Sequence, residues 1–528
     1  MSIEPTQTPP QLVTESSLQF SLEWKEFQND ATAVEKLEQF ILPAYMKKMR
    51  WFGGKSRKLS SICIDKILNL EWDGKIFYLL VVRAKYRTGK FEDYLLPVAI
   101  VSSAEGISEK GVISSSNYGS VIDAIYEESF RKYLFHHLFH SSKIKQRNGY
   151  LQFEKGIAFK DEDFTAAASS RVLDAEQSNS SLIYDEKYFL KIFRKLFRET
   201  NPDVEMVQFL SEKAHFPNIP AYAGTFYWKK AYGLPITLGM MQQKVNAVKD
   251  AWSMAGDYLN EFLQRVAQDD LSVPATSIDQ ATLLGKRTAE MHLALSSEQS
   301  DPAFAPENFN DEYADWMLDN CESLLKRRIR MAKDCYSQLD ETGKDLAKFF
   351  LHHQSEIKNF FSQIKSKSLL SLRTRIHGDY HLGQVMYDGA DYMILDFEGE
   401  PESSIKDRKI KHSPLKDVAG MLRSFHYAVS AKLYFSNETN ELPAEKIESA
   451  VSNWNKEVSQ AYMNSYWQSM QGATVFQAEE SELQFLLHFH LLEKAVYELG
   501  YELNSRPTWV KIPLRGIEQV VRSIGTSA

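Results

Sequence analysis

Arg375-Ile-His-Gly-Asp-Tyr-His-Leu-Gly-Gln-Val-Met-Tyr-Asp-Gly-Ala-Asp-Tyr-Met-Ile-Leu-Asp-Phe-Glu398 carries two aspartates, Asp379 and Asp396, 17 residues apart. Asp379 follows His377-Gly378, a pair suited to a tight loop. Asp396 ends the apolar run Tyr392-Met-Ile-Leu395, which predicts a buried strand. A loop acid followed by a strand-end acid is the pair that phosphoryl transfer from a nucleotide calls for. One carboxylate accepts the proton of an attacking hydroxyl and the other holds Mg²⁺ against the phosphates. The segment thus predicts Asp379 as catalytic base and Asp396 as metal ligand, with ATP and Mg²⁺ as the small-molecule requirements. It leaves open which hydroxyl is the acceptor. His377 and His381 read as hydrogen-bonders that shape the loop rather than as metal ligands.

Upstream, Lys191 emerges from the apolar strand pattern Tyr188-Phe-Leu190. A lysine so placed suits a charge aimed at the α- and β-phosphates, braced by a helix glutamate. Glu205, in the first turn of a predicted helix over Pro202–Ala214, is the best partner. Two solvated surface charges are the plainer reading, and Lys187, Arg194, Lys195 and Glu199 compete for the assignment. Gln177-Ser-Asn-Ser-Ser181 contains no glycine. Its small polar side chains, Ser178, Asn179 and Ser180 among them, and its backbone amides suit the capping of phosphate oxygens, although such a stretch is more often a plain turn. Arg50-Trp-Phe-Gly-Gly-Lys-Ser-Arg57 lacks the GxxxxGK[ST] spacing of a phosphate loop and reads as an anchoring turn.

The chain has 528 residues, 43% of them hydrophobic and 12% aromatic, which sets a prior of two or three globular units. A net charge of −8 disfavours a general nucleic-acid binder. Cys63, Cys321 and Cys335 are far apart and form no CxxC or Cys/His cluster, so they fit a reducing compartment without zinc. No run approaches the roughly 18 apolar residues of a membrane span. The N-terminus has neither the basic start nor the apolar centre of a signal peptide. The expectation is a cytoplasmic chain with no membrane or nucleic-acid partner.

Periodicity divides the chain into a flexible tail at 1–17, an N-terminal α+β cap at 18–150, a small β-rich lobe at 151–245 and a helical large lobe at 246–528. In the cap, a helix over Ala33–Met49 precedes strands at Ile62–Ile67, Ile76–Tyr86 and Tyr94–Val101, turning at Asp73-Gly74 and Thr88-Gly89. Val121–Phe139 reads as a helix. In the small lobe, Ser181–Tyr184 and Lys187–Phe193 form a hairpin turning at Asp185-Glu186, and Gly224–Tyr227 and Ile236–Gln242 are further strands. The linker between the lobes, and with it a nucleotide contact, falls at Gln242–Val245. Helices are predicted at Gly256–Gln268, Ile278–Leu295, Glu312–Ser337, Asp345–Ile364, Pro414–Leu433, Ala444–Gln471 and Ser481–Asn504. The pattern gives an α+β fold class with an N-terminal cap, and the two-lobed, protein-kinase-like arrangement is what the resemblance of the following strings implies.

The catalytic segment resembles that of the aminoglycoside phosphotransferase-like kinases, distant relatives of protein kinases. HGDYHLGQV at 377–385 followed by ILDFEGEP at 394–401 is similar, more narrowly, to the bacterial maltokinases. RWFGGKSR at 50–57, QSNSSLIY at 177–184, YFLKIFRK at 188–195, NPDVE at 201–205, KHSPLKDVAGMLRSFHYA at 411–428 and LLEKAVYELGYELNSRPTW at 491–509 extend the resemblance over nearly the whole chain, in order. It implies transfer of the ATP γ-phosphate to the anomeric hydroxyl of maltose, giving maltose 1-phosphate for glycogen-type glucan synthesis. It also implies a metal role for Gln384, where many related kinases have asparagine. Association with trehalose synthase is not derivable from these residues. Phosphorylation of glucosamine or an aminoglycoside is the nearest alternative. A non-catalytic partner subunit of a trehalose- or maltose-handling enzyme is the alternative of another class, and retention of Asp379, Asp396, Lys191 and Glu205 argues against it.

Glu493, Tyr497 and Tyr501 recur at i, i+4 and i+8 and so share one helix face, with Glu498 and Glu502 on a neighbouring stripe. Carboxylates for hydroxyls and aromatic faces for the C–H side of a ring suit a sugar. An ordinary amphipathic helix is an equal reading from the residues alone. The resemblance favours Glu493, Tyr497, Glu498, Arg506 and Trp509 as the sugar site. Asp417 is expected to cap its helix or brace the catalytic loop rather than touch substrate, and Arg423 to play a similar structural part.

Overall fold

The computed structural model describes residues 31–116, 119–164, 168–173, 178–230, 233–435 and 443–526. The expected tail at 1–17 and Gln177 lie outside the described residues. The chain forms two compact units. The first runs to Thr200 and takes back Tyr222–Lys244; the second comprises Asn201–Ala221 and the chain from Val245 onward.

The first unit holds two antiparallel sheets. Strands β1 (Leu59–Trp72), β2 (Lys75–Tyr86), β3 (Phe91–Val101), β4 (Val112–Ser116) and β5 (Gly119–Asp123) form one sheet in the order β1-β2-β3-β5-β4. The remaining strands are β6 (Lys143–Gln146), β7 (Gly149–Lys155), β8 (Ser170–Leu173), β9 (Ser180–Tyr184), β10 (Tyr188–Ile192), β11 (Lys195–Leu196), β12 (Tyr222–Lys230) and β13 (Ile236–Gln243). Strand β11 pairs with β3, and the other seven form the second sheet, in the order β6-β7-β12-β13-β10-β9-β8. Asp73 (φ 48°) and Gly74 (φ 72°) both take the left-handed conformation that joins β1 to β2 with the twist a hairpin needs. Asp185 and Glu186 do the same between β9 and β10, at φ 47° and 51°.

One element of this unit differs in type from its sequence reading. Of the expected helix over Val121–Phe139, only Glu128–Phe139 is α-helical, preceded by a 3-10 turn at Ala124–Tyr126, because Gly119–Asp123 is drawn into the sheet beside β3. That helix then serves both sheets. Phe130 meets Phe77 of β2 at 5.4 Å, while Phe135 stacks on Tyr184 of β9 at 4.8 Å. Aromatic packing on both faces and the β11–β3 pairing hold the two sheets as one unit.

The second unit is largely helical. The predicted helices occur at Ala251–Ala267, Ala275–Leu295, Asp311–Cys335, Leu415–Phe435, Ala444–Ser469 and Glu480–Ser505. The span predicted over Asp345–Ile364 is broken into Glu341–His352 and Gln354–Ser362. A further helix, Lys511–Thr526, had no sequence expectation; Pro513 in its first turn disguises a start that a proline tolerates well. Helix Leu415–Phe435 runs directly behind the catalytic segment. A Cβ on its Gly420 would stand 2.5 Å from the carbonyl oxygen of Tyr380, so only glycine allows this approach. Among the described residues no helix is long and apolar enough to cross a membrane.

Candidate active site

The loop around Asp379 is held from behind by a buried carboxylate. Asp417, in the first turn of helix Leu415–Phe435, accepts the backbone N–H of His377 at 2.7 Å and that of Gly378 at 2.9 Å. His292 Nε2 stands 3.1 Å from Asp417 Oδ2, and His292 Nδ1 stands 2.9 Å from the Tyr466 hydroxyl. Burial alone would raise the Asp417 carboxyl, but His292 and the loop amides outweigh it and keep the pKa below the ordinary carboxylate value. The bracing role expected of Asp417 is therefore what the geometry shows. His377 Nε2 donates to the Leu395 carbonyl at 2.8 Å, tying the loop to the residue before Asp396. His381 Nδ1 accepts from Gly383 N at 3.1 Å. Both histidines shape the loop, as read from the sequence.

Asp379 keeps 18% of its side chain exposed, so it is supported yet reachable. Its Oδ1 lies 3.1 Å from Lys494 Nζ, and the same ammonium lies 3.1 Å from Glu400 Oε2. Burial works against the charge on Lys494, but Glu400 and Asp379 outweigh it and drive the pKa well above the usual lysine value. Burial raises the Glu400 carboxyl despite the lysine beside it. Sequence reasoning missed both residues, although each lies in a quoted string: Lys494 between Glu493 and Tyr497, and Glu400 four residues after Asp396. A lysine on the same helix turn as a proposed sugar-binding tyrosine was the available signal.

Asp396 sits at φ 64°, a left-handed conformation that costs a non-glycine residue free energy and is kept where the surroundings enforce it. The strand before it, Tyr392–Ile394, is pinned by Asn218, whose Nδ2 donates to the Tyr392 carbonyl at 2.8 Å. Gln384 enters through its backbone, accepting Leu395 N at 2.8 Å, and its side chain is half-buried. Asp203, Asp396 and Glu398 each bring a carboxylate oxygen within 4.8 Å of the others. Three hard oxygen donors at that spacing fit Mg²⁺, so Asp396 gains two companions that the sequence reading did not assign. Asp203 also accepts Phe397 N at 3.0 Å, which sets the turn after Asp396.

The nucleotide candidates divide between the units. Lys191 lies on β10, half-buried and paired in register with Ser181 and Met240, in the first unit. Ser178 is exposed, whereas Asn179 and Ser180 are half-buried where β9 begins. Gln242 is buried on β13, and the chain passes from the first unit to the second between Lys244 and Val245. Glu205 belongs to the second unit, where it is ion-paired to Arg375 at 3.1 Å and Lys409 at 3.0 Å. Asn201 Oδ1 caps its helix by accepting Asp203 N at 2.8 Å.

The five proposed sugar-site residues fall into different places. Glu493 and Tyr497 line a cavity of about 300 Å³ with Gly378 and Glu400. Glu493 is ion-paired to Lys416 at 2.8 Å and accepts a hydrogen bond from His490 Nδ1 at 2.8 Å. Burial opposes its charge, but these partners hold its carboxyl below the ordinary range. Burial and the charge of Glu400 beside it push the Tyr497 hydroxyl above the ordinary tyrosine range. The structure does not bring the other three to this cavity. Glu498 is committed to Arg423, at 2.9 and 2.7 Å. Arg506 pairs with Glu502 at 2.7 Å and lies over Trp509, which stacks on Phe435 at 4.6 Å. Glu498 is one residue past Tyr497, a rotation of about 100° that takes it off the cavity wall, and Arg506 and Trp509 lie beyond the end of the helix.

No known protein-family profile matches the chain. Two curated relatives are glucosamine kinases. The one from Streptacidiphilus jiangxiensis is 22% identical over 361 residues, covering 67% of this chain and 75% of its own. The one from Mycolicibacterium smegmatis is 23% identical over 269 residues, covering 51% and 61%. Solved structures of glucosamine kinase share the fold. The complex with glucosamine, ADP and inorganic phosphate superposes with a TM-score of 0.61 at 15% identity, covering 89% of this chain and 96% of that one. A second crystal form gives 0.62 at 16% identity, with the same coverage. The chain therefore has a kinase fold of mixed α and β structure. Its relatives are sugar kinases, and the expectation of a kinase holds at that level.

Proposed function

We propose that the chain is an ATP-dependent kinase that phosphorylates a hydroxyl of a small sugar. The observation that carries this is the reachable Asp379, braced by Asp417 and set beside an acidic trio at Asp203, Asp396 and Glu398. In this reading Asp379 accepts the proton of the sugar hydroxyl as its oxygen bonds to the γ-phosphorus. The bond from that phosphorus to the β,γ-bridging oxygen breaks, releasing ADP. Mg²⁺, when bound, neutralises phosphate charge. Asp396, Asp203 and Glu398 would hold it, with Gln384 as a further oxygen donor. Lys191 and the Ser178–Ser180 turn would take the nucleotide phosphates, Gln242 and Val245 its base, and Glu205 would set the charge balance on its own helix. Use of ATP assigns the protein to the cytoplasm.

The ordered strings support maltose, phosphorylated at the anomeric hydroxyl, as the acceptor. Of the four carboxylates lining the cavity, Glu400 and Glu493 are ion-paired to Lys494 and Lys416, whereas Glu402 and Asp407 make no ion pair among the described residues, so the wall offers acceptors for hydroxyls and carboxylates that an ammonium would also meet. A second reading, glucosamine, rests on the names of both curated relatives. Purified protein with ATP and Mg²⁺ is to be offered maltose, glucose, glucosamine and kanamycin, with the products identified by mass and phosphorus NMR. Maltose 1-phosphate as main product supports the first reading, and a glucosamine phosphate supports the second. ATP turnover with none of the four defeats both acceptors.

A further inference from the structure

Helix Asp311–Cys335 turns one face to the cavity beside Gly378. Trp316, Asn320, Leu324 and Arg328 follow one another at four-residue steps, and all of them line it. Twelve residues of helix rise about 18 Å, so this wall is longer than one sugar ring. The proposed transfer step gives none of the four a role. Arg328 is 8% exposed, and among the described residues it makes no ion pair. Its Nη1 reaches the Met331 sulfur, a weak acceptor, at 3.5 Å, and its Nε is buried without a hydrogen-bond partner. Burial pulls the guanidinium below the ordinary arginine value, with Glu402 acting the other way. An unpaired buried charge destabilises a fold, and such groups concentrate at binding and catalytic sites.

Helix Glu480–Ser505 supplies the seat for this guanidinium. Arg328 Cζ lies 5.9 Å from the centroid of the Tyr497 ring, and a Cβ on Gly500 would stand 1.9 Å from the same Cζ. Gly500 is buried inside the helix, where a glycine weakens the helix relative to alanine. Without a side chain at that position the guanidinium can lie against the helix backbone. Lys494 Nζ stands 5.2 Å from the same Tyr497 centroid and 3.1 Å from Asp379 Oδ1. Contacts thus run from Asp379 through Lys494 and Tyr497 to Arg328, which stands back from the reacting end.

From this placement we infer that Arg328 is a specificity-determining residue: its guanidinium donates to an oxygen on a sugar ring beyond the one that carries the reacting hydroxyl. The acceptor then has at least two rings, and the ring at this end is uncharged. Arg328 shares the cavity wall with Glu402 and Asp407, which make no ion pair among the described residues. On such a wall neither an anion nor a cation finds surroundings of one sign, whereas hydroxyls, ring oxygens and glycosidic oxygens find both donors and acceptors. Binding energy gathered far from the reacting atoms helps to position them, so Arg328 serves transfer as well as affinity. The identity of the reacting end rests on the proposed kinase reading; the sugar contact at Arg328 does not.

The test is calorimetric titration of the full chain with maltose and with glucose, its one-ring counterpart, alongside thermal melts. Arg328→Met keeps an unbranched stem and removes the charge. Gly500→Ala keeps the arginine and fills its seat. The wild-type chain should bind maltose more tightly than glucose. Arg328→Met should bind maltose roughly ten- to a hundredfold more weakly, the scale of a lost hydrogen bond to a charged group, with glucose barely changed. Gly500→Ala should weaken maltose binding in the same selective way. Arg328→Met should melt no lower than wild type, because it removes an unpaired buried charge. Undiminished maltose binding in Arg328→Met, an equal loss for both sugars, or no wild-type preference for maltose overturns the assignment. So does a lower melt in Arg328→Met combined with wild-type maltose binding in Gly500→Ala, since Arg328 is then structural. Selective loss of maltose binding in a chain that phosphorylates no sugar fails the kinase reading and keeps this one. Maltose phosphorylation with binding unmoved by either variant does the reverse.

Discussion

Two stretches near the end of helix Glu480–Ser505 meet different surroundings. Glu493 and Tyr497 line the cavity of about 300 Å³ beside Gly378, the matched cavity, two of whose carboxylates, Glu400 and Glu493, are paired with Lys494 and Lys416. Glu498, Arg506 and Trp509 follow closely in sequence but are taken up by Arg423, Glu502 and Phe435. A polar group already committed to a neighbour within the fold has fewer hydrogen bonds left for a ligand. What each side chain touches therefore says more about a ligand than where it stands in the sequence.

The harshest way to break this contrast is at the base. Asp379→Asn keeps the shape and removes the acceptor charge, so turnover should fall about 10²–10⁴-fold. ATP binding, measured separately, should persist. Turnover within a fewfold of wild type in a folded variant would remove Asp379 from its role. Lys494→Gln comes next. It deletes the ammonium shared by Asp379 and Glu400, and kcat should fall roughly ten- to a hundredfold, the scale of a hydrogen bond to a charged group at about 1.5–3 kcal/mol. The KM for ATP should barely move and Lys494→Arg should restore part of the loss, whereas a merely structural lysine would show neither pattern.

Local signals made the catalytic segment legible. Asp379 and Asp396 stand in a loop-then-strand pattern that sequence periodicity can express, and the hairpin turns at Asp73-Gly74 and Asp185-Glu186 declare their own conformation. Asp203 and Lys494 were not legible, because what makes them matter is a neighbour almost two hundred residues away in one case and more than a hundred in the other. Helicity over Val121–Asp123 was misread for a related reason. Those residues suit either state, and pairing with β3 decides between them. The five residues read as one sugar site shared a stretch of sequence but not a surface, since Arg423 claims Glu498 and Phe435 claims Trp509.

Acid should expose the second unit through its buried histidines. His412, which lines the matched cavity, and His426 are held neutral, their pKa values well below the ordinary value because burial opposes the charged form. The unfolded chain titrates such groups near pH 6.5, so it binds more protons than the folded chain below that pH. Stability is therefore complete above about pH 6.5 and declines as the pH falls, by at most about 1.4 kcal/mol per unit for each histidine. The depressed carboxyls Asp417 and Glu493 act in a lower window: their contribution is present above about pH 4 and is lost as the pH falls through their folded pKa values. Thermal melts at constant ionic strength should show the first decline between pH 7 and 5, and His426→Gln should flatten it. An unchanged slope in that variant would mean that His426 is not held neutral.

The smallest effect discriminates best between a wall residue and a neighbour in sequence. Tyr497 lines the matched cavity together with Glu400. Trp509 instead stacks on Phe435 and carries Arg506 over its ring at 4.4 Å. Tyr497→Phe removes one hydroxyl from the wall, so the KM for the sugar should rise about two- to tenfold, the scale of a hydrogen bond at ~0.5–1.5 kcal/mol. Trp509→Ala should leave that KM within error. It should instead lower the melting temperature, because an aromatic pair contributes about 0.5–1.5 kcal/mol beyond the area it buries. Steady-state kinetics on both variants, paired with melts, separates the two roles. A raised sugar KM in Trp509→Ala with an unchanged melt would put the acceptor at the end of helix Glu480–Ser505 rather than beside Gly378, and the matched cavity would lose its ligand.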